Sequence, residues 1–164
     1  MAVSIAAKGR EVSLSWIAIL RVMMGLVFLT TWFSNLTKGL YGNGFVPFIQ
    51  GWADGTVFRW YASFLYAVVI PNADILRVIQ IVTEGLIMGI FLTVGLFTPL
   101  SATVSGFFVL NLFLASFGTG EWPWTYIMMG VMLAIIALTR AGRNLGVDAW
   151  LLQKRGEPPV RFLW

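Results

Sequence analysis

Three polar side chains fall inside stretches that are otherwise oil-like: Arg21 within residues 14–36, Glu84 within 73–97 and Asn111 within 99–117. A charged group in hydrocarbon costs roughly 2.5–3.5 kcal/mol on insertion scales, so such residues face a protein interior and find partners. At a rise of ~1.5 Å per residue, Arg21 falls roughly 10–12 Å above one edge and Glu84 roughly 15–17 Å below the other. In a hydrocarbon core ~30 Å thick these depths nearly coincide, and Asn111 joins the same layer. The expectation is an Arg21–Glu84 ion pair at mid-membrane with Asn111 hydrogen-bonded nearby. Two uses fit. The pair locks helices together, or it serves a quinone or proton site with Arg21 and Glu84 as the catalytic groups. A quinone carbonyl needs a donor, and its reduction needs a proton partner, which an arginine and a desolvated carboxyl supply.

The residues around Glu84 extend this reading. Arg77, Gln80 or Ile81, Glu84 and Met88 recur at three- and four-residue spacing, so one stripe leads from the helix start to Glu84. Gln80 and Asn111 are candidate quinone contacts. So is Trp122, in the cluster Glu121-Trp122-Pro123-Trp124, which reads equally as a headgroup anchor. Lys38 and Arg59 are candidates to meet an anionic substrate, with Arg77 either joining them or snorkelling to the interface. Gly85 and Gly89 make a GxxxG that lets another helix approach closely.

Composition sets the limits. Of 164 residues, 59% are hydrophobic and only 11% charged, too few charges to solvate a soluble globule. The excess apolar surface must meet lipid or a partner. The net charge of +4 does not point to nucleic acid, because the basic residues flank apolar runs instead of forming a stripe. Histidine and cysteine are both absent. That excludes disulfides, Cys or His zinc sites, cysteine-held iron–sulfur clusters, His-ligated haem and Ser-His or Cys-His nucleophiles. Redox chemistry here would use a quinone or other organic group, or a partner subunit's metal.

The elements that must position these residues follow from the apolar runs. A spanning helix needs ~20 mostly apolar residues. Four segments qualify, at about 14–36, 73–97, 99–117 and 123–139, giving an all-α membrane four-helix bundle in a single domain, 1–164. Residues 1–12 carry Lys8 and Arg10 and lead into a run too long for a cleaved signal's apolar region, so a retained signal-anchor is expected. Pro71, Pro99 and Pro123 mark helix starts, with Asn72 and Thr98 as N-caps. The tight turn at 95–98 makes the second and third helices antiparallel neighbours. Residues 38–72 are rich in turn formers and then carry the apolar run 60–70, too short to span; an interfacial or re-entrant segment is expected. Asp148 is expected to cap a short helix in an amphipathic tail, 144–164. Lys8, Arg10, Arg140, Arg143, Lys154, Arg155 and Arg161 share the side of both termini, against Lys38, Arg59 and Arg77 on the other. The positive-inside rule then puts both termini in the cytoplasm of a prokaryotic inner membrane. Trp16, Trp32, Trp122, Trp124 and Trp150 fall at helix ends, as an aromatic belt does.

Read in order, the motifs resemble the DoxX/DoxD family of small four-helix membrane proteins. Leu20-Arg21-Val-Met-Met-Gly25-Leu-Val-Phe28 and Lys38-Gly39-Leu40 are similar to the family's first helix and the lysine after it. Glu84-Gly85, Gly95-Leu96-Phe97-Thr98-Pro99 and Gly142-Arg143-Asn-Leu-Gly146-Val-Asp148 are similar to its later motifs. The resemblance covers about residues 20–152. It implies a quinone-linked or redox-associated subunit, as DoxD-type proteins are the small membrane subunit of thiosulfate:quinone oxidoreductase. It marks Arg21, Lys38, Glu84, Arg143 and Asp148 as candidate positions.

The expected function is therefore a subunit of a quinone-linked membrane oxidoreductase, with other membrane or periplasmic subunits as partners. The rival is a non-catalytic brace in a respiratory or photosynthetic complex, supported by the shortage of reactive groups. A transporter or channel would need a homo-oligomer, which the sequence allows, but no pore-lining polar ladder appears.

Overall fold

The computed structural model describes residues 15–160 and 162–164. Lys8, Arg10, Arg161 and the expected first-helix start at residue 14 lie outside the described residues. Among the described residues helix is the only regular structure. Helix α1 is Ser15–Thr37. A turn at 38–44 leads to α2, Phe45–Gly55, and then to α3, Arg59–Phe64, which runs on as a π-helix through Leu65–Val69. Helix α4 begins at Ala73–Val82, widens into a π-helix over Thr83–Phe91 and closes with the α-turn Leu92–Val94. Helix α5 is Thr98–Ser116, α6 is Trp124–Leu138 and α7 is Val147–Arg155. Three helices, α1, α4 and α5, are long and apolar enough to cross a membrane; α6 is as apolar but only 15 residues long.

Glycine and proline chemistry sets the boundaries. Gly95 ends α4 in the left-handed region at φ 73°, where a glycine carries no steric penalty, and the chain reverses within three residues into α5. Pro99 occupies the first turn of α5, where no N–H is needed. The expected caps are corrected. The Asn72 side chain donates backwards to the Val68 carbonyl and caps nothing. Thr98 is already helical, and its N–H and that of Phe97 are capped from 50 residues away by Asp148. Asp148 therefore caps α5 and not its own helix.

α1 packs along α4, α5 against both α4 and α6, and α6 back onto α1. The shared core is Met24, Phe28, Met88, Leu92, Leu133 and Ile136, with their neighbours. A second core holds α2 and α3 against the far half of α5 through Phe45, Ile49, Tyr61, Leu65 and Ala115. The segment 38–72 is thus a folded helical pair seated on the long helices.

The outer surface is apolar along the helices: Met23, Val27, Phe33, Val78, Ile79, Phe107, Met128 and Leu138 are all exposed. Trp16, Trp122, Trp124 and Trp150 are exposed near helix ends, as interfacial tryptophans are. Trp32 is the exception, because its indole lies against Gly85 inside the α1–α4 contact.

That contact is close enough to exclude side chains. A Cβ at Gly25 would stand 2.6 Å from the Thr93 backbone nitrogen and 2.9 Å from its Cα, neither of which can yield as a side chain would. Gly25→Ala is expected to destabilise by about 1–3 kcal/mol, the usual cost of overpacking. Gly106→Ala, where the same atom meets nothing within 4 Å, is expected to leave stability unchanged or raise it. Thermal unfolding in one detergent compares the two, and equal melting temperatures would contradict the packing described.

Candidate functional site

The contacts between α1 and α4 fix the height of each buried charge. Gly25 sits opposite Thr93, Leu29 opposite Gly89, and Trp32 opposite Gly85. The first turns of α1 therefore project beyond the end of α4. Arg21 is level with the Gly95 turn, not with Glu84. The expected Arg21–Glu84 ion pair is overturned: the two side chains belong to separate clusters at opposite ends of the α1–α4 contact. The depth argument failed because it set the start of each helix flush with its own membrane edge, whereas the two helices are staggered and each projects beyond the end of the other.

Arg21 is almost fully buried and forms the first cluster. Its guanidinium donates to the carbonyls of Leu92 at 2.6 Å, Thr93 at 2.8 Å and Leu145 at 2.9 Å. The first two are orphan carbonyls at the C-terminal end of α4, where a cation also complements the helix dipole. Asp148 lies within electrostatic reach of Arg21 and accepts from the Phe97 and Thr98 N–H groups at 2.7 and 2.8 Å. Its own N–H returns to the Gly95 carbonyl. Arg143 holds the following chain through a two-pronged contact with Glu157 and a bond to the Trp164 carbonyl. These bonds tie the tail to the α4–α5 turn as a clamp, and they leave Arg21 Nε, Arg143 Nε and Thr98 Oγ1 buried without a partner.

Glu84, equally buried, forms the second cluster. It lies in the π-helical stretch of α4, a form that is uncommon and often found at functional sites. The Tyr41 hydroxyl donates to Oε2 at 2.5 Å, the Asn35 amide to Oε1 at 3.3 Å and the Gln80 amide to Oε2 at 3.4 Å. Burial, and then the Glu84 carboxyl, push the Tyr41 phenol well above its usual range, so it is a donor at neutral pH. Tyr41 and Asn35 escaped sequence reasoning, since they lie in or beside the turn 38–44. An Asn closing a spanning helix with a Tyr six residues on was the available signal.

Beside this cluster is a cavity of about 380 Å³ between α2, α3, α4 and α5. Its walls are chiefly apolar and aromatic. The polar groups in its lining are Tyr61, Gln80, Thr83 and Asn111. Gln80 thus touches both the cavity and Glu84. Tyr61 donates to Asn111 Oδ1 at 3.2 Å, and the Asn111 amide donates to the Phe107 carbonyl. Asn111 therefore does not join a layer with Arg21 and Glu84, as expected, but shares the cavity with Gln80. Trp122 is exposed at the start of α6 and is not in the cavity lining.

The other candidates are dispersed. Lys38 is exposed in the turn after α1, and Arg59 is exposed at the start of α3 beside an open depression that also holds Asp54. Arg77 pairs with Asp74 on its own helix at 3.3 Å. Among the described residues no group of three or more acidic side chains gathers as a metal site would.

Removing Asp148 strands two buried N–H donors, at about 1–3 kcal/mol each. Asp148→Ala is therefore expected to lower the melting temperature in detergent markedly, and Asp148→Asn by less. Asp74→Ala, on an exposed carboxylate, is expected to stay within scatter. A melting temperature unchanged in Asp148→Ala would show that the clamp carries no load.

No curated protein and no solved structure matches the chain. A family model described as "TQO small subunit DoxD" matches residues 16–163, nearly the whole length. With the Glu84 cavity and the Arg21 clamp built on residues of the matched region, the chain belongs to the DoxD family.

Proposed function

We propose that this protein is the small membrane subunit of a quinone-linked oxidoreductase and that the cavity beside Glu84 receives the quinone ring. The observation that carries the reading is one amide, Gln80, which lines an apolar cavity and reaches a buried carboxyl. The residues fit the group. A quinone ring is flat and apolar with two acceptor oxygens. The cavity offers aromatic and aliphatic walls with two amides and a phenol among them. When bound, a quinone takes up two electrons and two protons and leaves as a quinol.

This chain's residues supply the rest. Gln80 and Asn111 hold and orient the carbonyl oxygens through their second amide N–H, and Tyr61 fixes Asn111 by donating to it. The aliphatic walls exclude water from the ring. Glu84 holds a proton next to the cavity and delivers it after a side-chain turn, while the Gln80 amide donates to its carboxyl and positions it. Electrons come from a donor held by the complex, since His and Cys are absent from the chain. Thiosulfate is that donor in the fullest form of the proposal, with Lys38 and Arg59 as the exposed cations that meet it. The chain crosses an inner membrane four times, with α6 as the fourth and shortest crossing and both termini cytoplasmic.

The test uses the assembled complex in detergent with a soluble quinone. Gln80→Leu and Asn111→Leu are expected to raise the quinone KM several-fold. Glu84→Gln, which keeps the shape and one acceptor oxygen but cannot take up or release the proton, is expected to lower kcat by on the order of 10²-fold with little change in KM. Wild-type kinetics in all three variants would end the proposal.

A further inference from the structure

Resting on the reading just given, we infer that Tyr41 relays protons to Glu84 and that the quinone site takes its protons from the face bearing the turn 38–44, opposite α7.

Three observations carry this. First, every side chain bonded to the Glu84 carboxyl other than Gln80 comes from that face: Asn35 from the end of α1 and Tyr41 from the turn. Trp32 adds an indole nearby, whose N–H is buried without a partner. No lysine or arginine is bonded to the carboxyl among the described residues. Second, Tyr41 stands between the carboxyl and the surface. Glu84 keeps 1% exposure and Tyr41 keeps 7%, while Lys38, Gly39, Gly42 and Asn43 around it are exposed. The Asn35 amide reaches the phenol oxygen only at 3.5 Å, the limit of a hydrogen bond, so that oxygen retains acceptor capacity toward solvent. Third, a route from the opposite face would cross Met24, Phe28, Met88, Leu92, Leu133 and Ile136, all buried and apolar, past hydroxyls at Thr93, Ser101 and Ser105 that already donate to backbone carbonyls. Below them Arg21 is tied to backbone carbonyls.

The transfer balances. A proton arriving at the phenol oxygen displaces the phenol's own proton to the Glu84 carboxylate, and the phenol is neutral before and after. Glu84 then yields that proton to the cavity. Two such cycles match the two electrons that the donor delivers. No charge crosses to the terminus-bearing face, so the step does not itself move protons across the membrane.

The chain contains no cysteine, which makes the sidedness directly measurable. Single Glu84→Cys and Asn35→Cys forms of the complete complex are treated with a membrane-impermeant thiol reagent in right-side-out and inside-out vesicles. Labelling is expected from the 38–44 face alone. Asn35→Cys reports the same path if Glu84→Cys does not assemble. Labelling from the α7 face overturns the inference without needing quinone turnover. Kinetics give the second arm. Tyr41→Phe, which keeps the ring, is expected to lower kcat by roughly 10- to 100-fold at unchanged quinone KM. It is also expected to enlarge the solvent deuterium effect, which a purely structural loss would not do. If Glu84→Gln abolishes turnover while Tyr41→Phe runs at the wild-type rate, the relay is wrong and the quinone site stands. If Glu84→Gln also runs normally, both fall.

Discussion

The contact of Gly25 with the backbone of Thr93 is the constraint on which the arrangement of this protein depends. It brings α1 and α4 together with only the Thr93 side chain between them at that level, and it sets their stagger. Once the stagger is fixed, the two buried charges have no choice of partner. Arg21 meets the carbonyls that close α4, and Glu84 meets the residues that close α1. In lipid both outcomes are necessary. A charge without hydrogen bonds would cost more than the helix contact returns.

The two ends then take different tasks. At the Gly95 end most polar groups are bonded to protein, while Arg21 Nε, Arg143 Nε and Thr98 Oγ1 are buried without a partner. Arg21 fills the orphan carbonyls of one helix, Asp148 fills the orphan N–H groups of the next, and the tail from Gly146 onward is tied in by the same contacts. At the other end the polar groups are only partly spent. Gln80 and Asn111 both line a cavity whose walls are otherwise apolar, and the carboxyl behind them is held by uncharged donors. The helices α2 and α3 exist to make that cavity. They are too short to span, but their own small core presses Tyr61 and Leu65 against α5 and roofs the space beside α4.

Much of the fold was legible in the sequence for simple reasons. Apolar runs of about twenty residues, ended by glycine and restarted by proline, locate α1, α4, α5 and α6 to within a few residues. The partners of the charges were not legible. Position along a helix gives depth only if each helix begins flush with its membrane edge, and the stagger set by the Gly25–Thr93 contact breaks that assumption. Asp148 was visible as a cap, but a cap for a helix 50 residues earlier cannot be read from local spacing. Gln80 was singled out by its helical spacing from Glu84 and Asn111 by its depth in the third span, and both line the cavity. Tyr41 and Tyr61 lay in a connection whose conformation the pattern of turn formers left open, so their contacts with Glu84 and Asn111 were hidden.

The central claim is that a quinone ring occupies the space between α2, α3, α4 and α5. A photoactivatable azidoquinone, irradiated with the intact complex and mapped by mass spectrometry, tests it most directly. The account predicts cross-links within residues 61–69, 76–83 and 108–112, competed away by unmodified quinone. Competable labelling confined to the groove between α5 and α6, near Gly106 and Gly130, or found only on other subunits, would contradict it.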